Sequence, residues 1–222
     1  MTLGELEALL VERLADLPGT EGQLPMSPVP RYDWVPGHIP EVHRLGAGLL
    51  PLYQADAGVH LVLTERNHRL PKHPGQISLP GGAVEDGESI EQAAIREAHE
   101  EVAIDPEQVR VLGRLTPLHI PVSGFVLHPV VAVIDGVPEL RPEENEVERI
   151  LDIPLDYFSD PVLVVEKRRF RERFYHVPYY LLPGDAKLWG ATAMVVTEFL
   201  ALLGIVPDPW GDKRPDAHFD TP

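Results

Sequence analysis

Residues 80–104 read PGGAVEDGESIEQAAIREAHEEVAI, and this stretch gives the strongest structural signal in the chain. It predicts a helix over 89–102, because small apolar residues recur at helical spacing from Ile90 onward and Ser89 is a suitable N-cap. The glycines in front of the helix permit close backbone approach and positive φ angles. The stretch therefore predicts a glycine-rich loop that leads directly into a helix.

Three carboxylates lie on one face of this predicted helix. Glu97 and Glu101 are four positions apart and Glu97 and Glu100 are three apart, so their side chains are neighbours. Their repulsion costs roughly a few tenths of a kcal/mol per pair, which a hard divalent cation would offset. A solvated acidic face is the ordinary explanation of such a pattern in isolation. The glycine loop, which can present backbone groups to a phosphate or a metal ion, makes a phosphate and Mg²⁺ site an equal alternative.

The composition excludes several other kinds of site. The chain has 222 residues, of which 44% are hydrophobic and 24% charged, as expected for a soluble globular protein with one core. The net charge of −16 disfavours binding to nucleic acid polymers. The absence of cysteine excludes disulfides, cysteine-ligated zinc, iron–sulfur clusters and thiol nucleophiles. No stretch resembles a membrane span or a signal peptide, so we expect a cytoplasmic protein.

The spacing of these residues resembles the Nudix box, which is Gly, five residues, Glu, seven residues, then Arg-Glu-apolar-x-Glu-Glu-x-Gly-apolar. The chain supplies Gly82, Glu88 and the run Arg96–Ile104. Every polar position is present, while Ala98 is a small apolar residue and Ala103 replaces the usual glycine. The resemblance implies an α/β (α+β) fold, namely an α/β/α sandwich around a mixed central sheet with a loop–helix–loop metal site.

The resemblance also implies a set of metal ligands. Glu97 and Glu101 would be the main ligands of Mg²⁺, or of Mn²⁺ in its place. Glu100 would bridge to a second metal or to a metal-bound water, and the carbonyl of Gly82 would join the coordination shell. The reaction would be hydrolysis of a diphosphate linkage by water, without a covalent intermediate.

Further roles follow for the charged residues around these ligands. Arg96 would orient a carboxylate, and Glu88 would brace the loop through Arg96. The ordinary explanations are a surface salt bridge worth about 0–1 kcal/mol for Arg96 and a favourable first-turn acid for Glu88. The general base would be Glu100 or a residue of the acidic segment outside the box, where we choose Glu144. The other candidates in that segment are Glu143 and Glu146.

The stretch before the box narrows the expected substrate, because it resembles that of the coenzyme A pyrophosphatases. Those proteins carry Leu-Leu-Thr and then a loop with Arg, three residues, Gly, three residues and Phe-Pro-Gly-Gly. Gly75 and Pro80–Gly82 match, whereas Leu79 stands at the Phe position and Pro71 at the Arg position. Arginine is best suited to a phosphate fork, so neighbouring cations would have to replace it. The predicted substrate-binding residues are Arg66, Arg69, Lys72, Gly75 and Gly81.

Later stretches extend this resemblance to about residues 40–205. They are Pro121–Phe125 with His128–Val130, Glu144–Val147 with Ile153–Leu155, and Trp189–Ala193. The implied reaction converts coenzyme A to 3′,5′-ADP and 4′-phosphopantetheine. A second basic cluster could bind the 3′-phosphate or could simply protect an exposed edge strand. Its members are Lys167, Arg168, Arg169, Arg171 and Arg173.

Two other functions stay open. The first is an ADP-ribose or dinucleotide pyrophosphatase that uses the same box. The second is a Nudix-fold regulator that binds a nucleotide without catalysis, although such a protein would be expected to have lost carboxylates of the box. An isopentenyl-diphosphate isomerase is disfavoured, because the chain lacks the catalytic cysteine of that family.

The remaining elements are predicted from periodicity and from turn residues. We expect an N-terminal helix with a Pro/Gly-rich arm (1–40), a Nudix domain (41–206) and a tail (207–222). The oligomeric state is left open, a homodimer included. The predicted helices are 2–16, a short acidic helix near 143–151, and 190–203. The predicted strands are 59–64, 109–115, 126–135, 162–166 and 170–181, with an arm over 18–41 and a long loop over 67–87.

Overall fold

The structure is a computed structural model that describes residues 1–31, 34–170 and 172–211. The helices are α1 (Leu3–Arg13), α2 (Gly19–Gln23), α3 (Ile90–Val102) and α4 (Gly190–Leu202). The strands are β1 (Arg44–Ala55), β2 (Gly58–Arg66), β3 (Ile77–Ser78), β4 (Gly81–Ala83), β5 (Val109–Arg114), β6 (Leu118–Ile120), β7 (Phe125–Ile134), β8 (Val147–Pro154), β9 (Leu163–Phe170), β10 (Arg173–Leu182) and β11 (Ala186–Trp189). Short 3₁₀ turns occupy Leu24–Met26, Pro106–Gln108, Leu155–Ser159 and Pro183–Asp185.

A mixed eight-stranded sheet lies at the centre of the fold. Its main path runs β3-β2-β1-β7-β5, while β4 pairs with β1, β6 with β7 and β8 with β2. Only the β1–β7 pairing is parallel within this described sheet. One face packs on α3 through residues such as Leu49, and the opposite face packs on α1 and α4 through residues such as Leu50. The expected α/β/α sandwich is therefore confirmed.

The central strand β1 has no counterpart among the predicted strands. Its sequence, RLGAGLLPLYQA, contains no β-branched residue and includes Gly46, Gly48 and Pro51, all of which weaken a strand signal. The residues from Gly46 to Tyr53 are all buried, so the strand also lacks an alternating pattern. Helices cover both faces of the sheet at this strand, which explains why its hydrophobic run is continuous.

The prediction of an acidic helix near 143–151 is wrong. Residues 144–146 form a turn, and β8 follows as a strand that pairs with β2, with Leu63 opposite Leu151. Leu151 and Ile153 point into the core while Asp152 between them is exposed, which is the period of a strand. The charged residues of this segment favoured the prediction of a surface helix. The segment forms a strand because its backbone pairs with β2, a partner that the local sequence does not reveal.

The other predicted elements are confirmed within a few residues at their ends. These are helices α1, α3 and α4 and strands β2, β5, β7, β9 and β10. The capping box of α3 is complete, because Ser89 accepts from the backbone of Gln92 at 3.2 Å and the side chain of Gln92 accepts from the backbone of Ser89 at 2.8 Å. The long loop over 67–87 contains the short strands β3 and β4.

The N-terminal segment packs on the face of the sheet opposite α3. Leu6 and Leu10 of α1 are fully buried in the same core as α4. The side chain of Gln23 donates to Glu198 of α4 at 2.8 Å, so the arm is joined to the domain by buried polar contacts as well. The domain limits at 40 and 206 stay a prediction, and the predicted tail lies outside the described residues beyond Gly211. Within the described residues, every helix is too short or too polar to cross a bilayer.

Candidate active site

Glu101 is the most buried carboxylate of the acidic face of α3. Only 4% of the residue is exposed, and its Oε2 accepts a hydrogen bond from the backbone N–H of Gly81 at 3.1 Å. Burial raises the pKa of Glu101 to about 7, while the N–H of Gly81 and the charge of Arg66 oppose this rise. The negative charges of Glu97 and Glu146 raise it further. Glu101 is thus a buried carboxyl group with other carboxyl groups within electrostatic reach.

Glu97 lies against β4, where glycine makes the approach possible. A Cβ added to Gly82 would lie 2.3 Å from Oε1 of Glu97, and one added to Gly81 would lie 2.3 Å from the carbonyl oxygen of Ala47. Neither position could therefore hold a larger side chain without a shift. Burial also raises the pKa of Glu97, and the neighbouring Arg96 lowers it. The glycine pair positions two carboxylates beside the backbone of β4.

Arg96 connects the loop with the acidic face of α3. Its guanidinium donates to both oxygens of Glu88, at 2.7 and 3.1 Å, and to the carbonyl of Ala83 at 3.1 Å. It also donates to Oε1 of Glu97 at 2.9 Å and to Glu100 at 3.2 Å. These hydrogen bonds lower the pKa of Glu88. Arg96 therefore links Glu88 on the loop with Glu97 on α3, while the orienting and bracing roles of Arg96 and Glu88 stay predictions.

The end of α3 differs from the usual pattern at one position. Ala103, which stands where the box has glycine, adopts the left-handed conformation with φ 61° and ψ 26°. Its N–H donates back to the last turn of the helix, so the C-cap forms despite the alanine. An L-residue in this region carries roughly 1–2 kcal/mol of strain. The substitution leaves the carboxylates in place and costs stability locally.

The acidic turn that precedes β8, residues 143–146, reaches the same site. The backbone N–H of Glu143 donates to the carbonyl of Glu101 at 2.9 Å. The charge of Glu146 raises the pKa of both Glu97 and Glu101, so its carboxylate lies within electrostatic reach of both. Glu144 offers its backbone carbonyl to the side chain of Asn67 at 2.7 Å. Glu144 stays a prediction as the general base, and Glu146 is the better placed of the two.

Among the predicted substrate-binding residues, Arg66 is the cation that the fold brings to the carboxylates. It ends β2, its charge lowers the pKa of Glu101, and its buried Nε has no hydrogen-bond partner among the described residues. Arg69 and Lys72 lie exposed on the loop. Gly75 shapes that loop with φ 67°, and a Cβ there would lie 2.6 Å from the ring of His68. The sequence grouped the three cations, and the structure separates Arg66 from the other two.

The second basic cluster lies on the β9–β10 hairpin, where its charges have local partners. The guanidinium of Arg168 lies 4.6 Å from the ring centre of Trp189 and donates to Glu166 at 3.1 Å. Lys167 lies 4.7 Å from the ring centre of Phe174. Arg171 lies outside the described residues. These contacts favour the explanation of a charged, exposed hairpin over a phosphate site.

The residues around Glu97 and Glu101 fit a hard divalent cation. Mg²⁺ takes oxygen ligands, typically one or two carboxylates, and keeps several waters. Glu97 and Glu101 supply two carboxylates whose pKa values are raised mainly by burial and further by neighbouring carboxylates, and a bound cation would offset both effects. No three His, Asp or Glu side chains of the described residues form a closed cage for an ion. The arrangement suits a metal that shares its shell with water and substrate oxygens.

Comparisons with known proteins identify the family of the chain. A family model of the NUDIX domain matches residues 42–174. The uncharacterized Nudix hydrolase NudL of Pectobacterium atrosepticum is 41% identical over 144 residues, which cover 61% of this chain and 71% of the relative. The NudL protein of Shigella flexneri is 35% identical over 166 residues, covering 74% and 85%. The crystal structure of the Nudix hydrolase RenU from M. smegmatis has a similar fold, with a TM-score of 0.50 and 20% identity over 74% of this chain and 88% of RenU. The chain therefore belongs to the Nudix hydrolase family.

Proposed function

We propose that this Nudix pyrophosphatase cleaves the diphosphate of coenzyme A or its derivatives into 3′,5′-ADP and 4′-phosphopantetheine, with Mg²⁺ or Mn²⁺ as its metal. The observation that carries the hydrolytic part is the packing of Glu97 and Glu101 against Gly81 and Gly82. The charge of Glu146 reaches both carboxyl groups, and that of Arg66 reaches Glu101. The choice of coenzyme A is supported by the sequence from Gly75 to Gly82 and by the later stretches that resemble the coenzyme A pyrophosphatases.

In this proposal Glu97 and Glu101 would hold the metal, together with the carbonyl of Gly82 and with Glu100. When bound, the cation supplies Lewis acidity and positive charge toward the diphosphate. Arg96 keeps Glu97 oriented through the bond to its Oε1 at 2.9 Å. Glu100 is exposed and accepts from Arg96 at 3.2 Å, and it would serve as an additional metal ligand.

Other side chains of the protein would bind the phosphate and accept the proton of the attacking water. Arg66 has an unpartnered, buried Nε beside the carboxylates, so it is suited to neutralise a phosphate oxygen. A carboxylate next to the metal ligands accepts the proton of the attacking water, and Glu146 is the first candidate. In this mechanism, Glu146→Gln lowers kcat by about 10²–10⁴ while Glu144→Gln changes it little. The reverse order of effects would return the base to Glu144.

The substrate is tested by turnover measurements with purified protein and Mg²⁺. We expect a higher kcat/KM for coenzyme A than for ADP-ribose, NADH or diadenosine polyphosphates, with 3′,5′-ADP and 4′-phosphopantetheine as the products identified by mass spectrometry. The Glu97→Gln variant, purified in the same way, controls for contaminating phosphatases. If coenzyme A is turned over no faster than ADP-ribose, the substrate assignment is wrong.

Pro71 is the observation that keeps a second substrate class in view. It stands where the coenzyme A subfamily has an arginine. Of the three cations expected to replace that arginine, Arg66 is half-buried at the end of β2, whereas Arg69 and Lys72 are exposed. An ADP-ribose or dinucleotide pyrophosphatase would place less demand on this loop, since its substrate lacks a 3′-phosphate. A non-catalytic regulator is the remaining alternative. It would show no turnover of any compound above that of the Glu97→Gln variant.

A further inference from the structure

Asn67 is a buried amide that joins two loops beside Glu97 and Glu101, the proposed metal carboxylates. Only 5% of the residue is exposed. Its backbone N–H donates to the carbonyl of Glu146 at 2.8 Å, and its side-chain Nδ2 donates to the carbonyl of Glu144 at 2.7 Å. Its Oδ1 accepts from the backbone N–H of Arg69 at 2.9 Å. One residue therefore fastens the acidic turn on one side and the basic loop on the other.

The acidic turn has a second anchor on α3. The N–H of Glu143 donates to the carbonyl of Glu101 at 2.9 Å, and the N–H groups of Glu146 and Val147 close the turn on the carbonyl of Glu143 at 3.0 and 2.8 Å. Glu146 is exposed, and its recorded hydrogen bonds within the described residues are those of its backbone. Its position beside the metal carboxylates thus depends on its backbone, which is fixed between Glu101 and Asn67.

We propose that Asn67 is a positioning residue that sets the distance between the metal carboxylates, the base candidate Glu146 and the cation Arg66. This inference rests on the proposed function, because it assigns Asn67 a part in that same site. Arg66 directly precedes Asn67, so the clamp also fixes the end of β2 that carries the guanidinium. Removing a buried donor is costly when it leaves a carbonyl without a hydrogen-bond partner. Contacts that position metal ligands in this way commonly control metal affinity or activity.

The Asn67→Asp variant tests the clamp with little change of shape. Aspartate keeps an oxygen for the N–H of Arg69, but it replaces the donor that faces Glu144 with an acceptor, so two oxygens oppose each other. We expect Mn²⁺ binding without substrate, followed by the electron paramagnetic resonance signal of the free ion, to weaken about 10–100-fold. We expect kcat to fall by about the same factor and KM to change less, because the reacting groups are displaced.

Gln23→Ala supplies the matched control. Gln23 is also a buried amide, 1% exposed, with bonds to Glu198 at 2.8 Å and to the carbonyl of Thr116 at 3.0 Å, and it has no recorded bond to the candidate site in the described structure. The Gln23→Ala variant should have a lower Tm, while its Mn²⁺ affinity and kcat stay within about twofold of the wild type. Asn67→Asp with a similar loss of Tm and unchanged Mn²⁺ affinity and kcat would reduce Asn67 to a structural role and overturn the proposal.

Hydrogen exchange on the wild-type protein keeps the proposal testable if Asn67→Asp does not fold. Adding Mn²⁺ should slow exchange in 67–76 and 143–147 together with α3, because the clamp makes them one unit. A response confined to α3 would refute the clamp. If the wild type does not turn over coenzyme A but the expected changes in Mn²⁺ affinity and hydrogen exchange are seen, the substrate assignment is refuted and the role of Asn67 is supported. Failure of the proposed function is therefore distinguishable from failure of the proposed clamp.

Discussion

Replacing Gly82 with alanine should lower activity far more than stability, although it changes no charged residue. The added Cβ would lie 2.3, 2.5 and 2.6 Å from the three carboxyl atoms of Glu97. Ordinary contacts lie at about 3.5 Å, so the carboxylate must retreat by about 1 Å. A misplacement of about 1 Å in a catalytic site can cost about 100-fold in rate, equivalent to about 2.7 kcal/mol. Because the displaced group is the end of a flexible side chain, the loss of folding stability should stay near 1 kcal/mol.

The assay compares kcat, Mn²⁺ affinity and the urea midpoint of Gly82→Ala with those of Gly4→Ala. Gly4 lies in α1, and a Cβ there meets nothing within 4 Å. The control should therefore keep its activity and gain up to about 1 kcal/mol from the better helix former. A Gly82→Ala enzyme with kcat and Mn²⁺ affinity within threefold of the wild type would show that the position of Glu97 against β4 does not matter for the reaction.

Three further outcomes are expected. Glu97→Gln and Glu101→Gln should each lower kcat by at least about 10³ with little change in Tm, and activity retained in both would refute the metal assignment. Ala103→Gly should stabilise the protein by about 0.5 kcal/mol in urea unfolding, since relief of left-handed strain exceeds the added chain entropy, and destabilisation would contradict this. Bonding to Arg114 lowers the pKa of Glu91 to about 2 from 4.5, so this pair stabilises above pH 4.5 and its contribution disappears as the pH falls to about 2. The pair is partly exposed, so Glu91→Gln should cost less than about 1 kcal/mol at pH 6 and nothing near pH 2.

Strands show where local sequence signals were insufficient. The helix α3 was predictable because its cap, its apolar spacing and its end all lie within one short stretch. Strand β1 was missed because it is buried on both faces and contains glycine. Strand β8 was predicted as a helix because its charged residues fit an exposed helix as well as an exposed strand face. Both strands depend on partners remote in sequence, and propensity alone does not identify such partners.

The candidate site was also only partly predictable from the sequence. The spacing of Glu97, Glu100 and Glu101 placed their side chains on one helix face, and Arg96 and Glu88 proved to be partners. The burial that raises the pKa of Glu101 could not be inferred from spacing, because it comes from the packing of β4 on α3. Asn67 gave no signal in the sequence, since its function as a clamp exists only when the two loops meet.

The sequence by itself determined the Nudix box, the helix that carries it and the type of chemistry, because these depend on residues within a few turns of one another. Only the tertiary structure decided which remote residues complete the site. It brought the charges of Glu146 and Arg66 within reach of Glu101 and left Arg69 and Lys72 on the surface. The physical reason is that sheet pairing and buried backbone hydrogen bonds fix the relative positions of loops that are far apart in the chain.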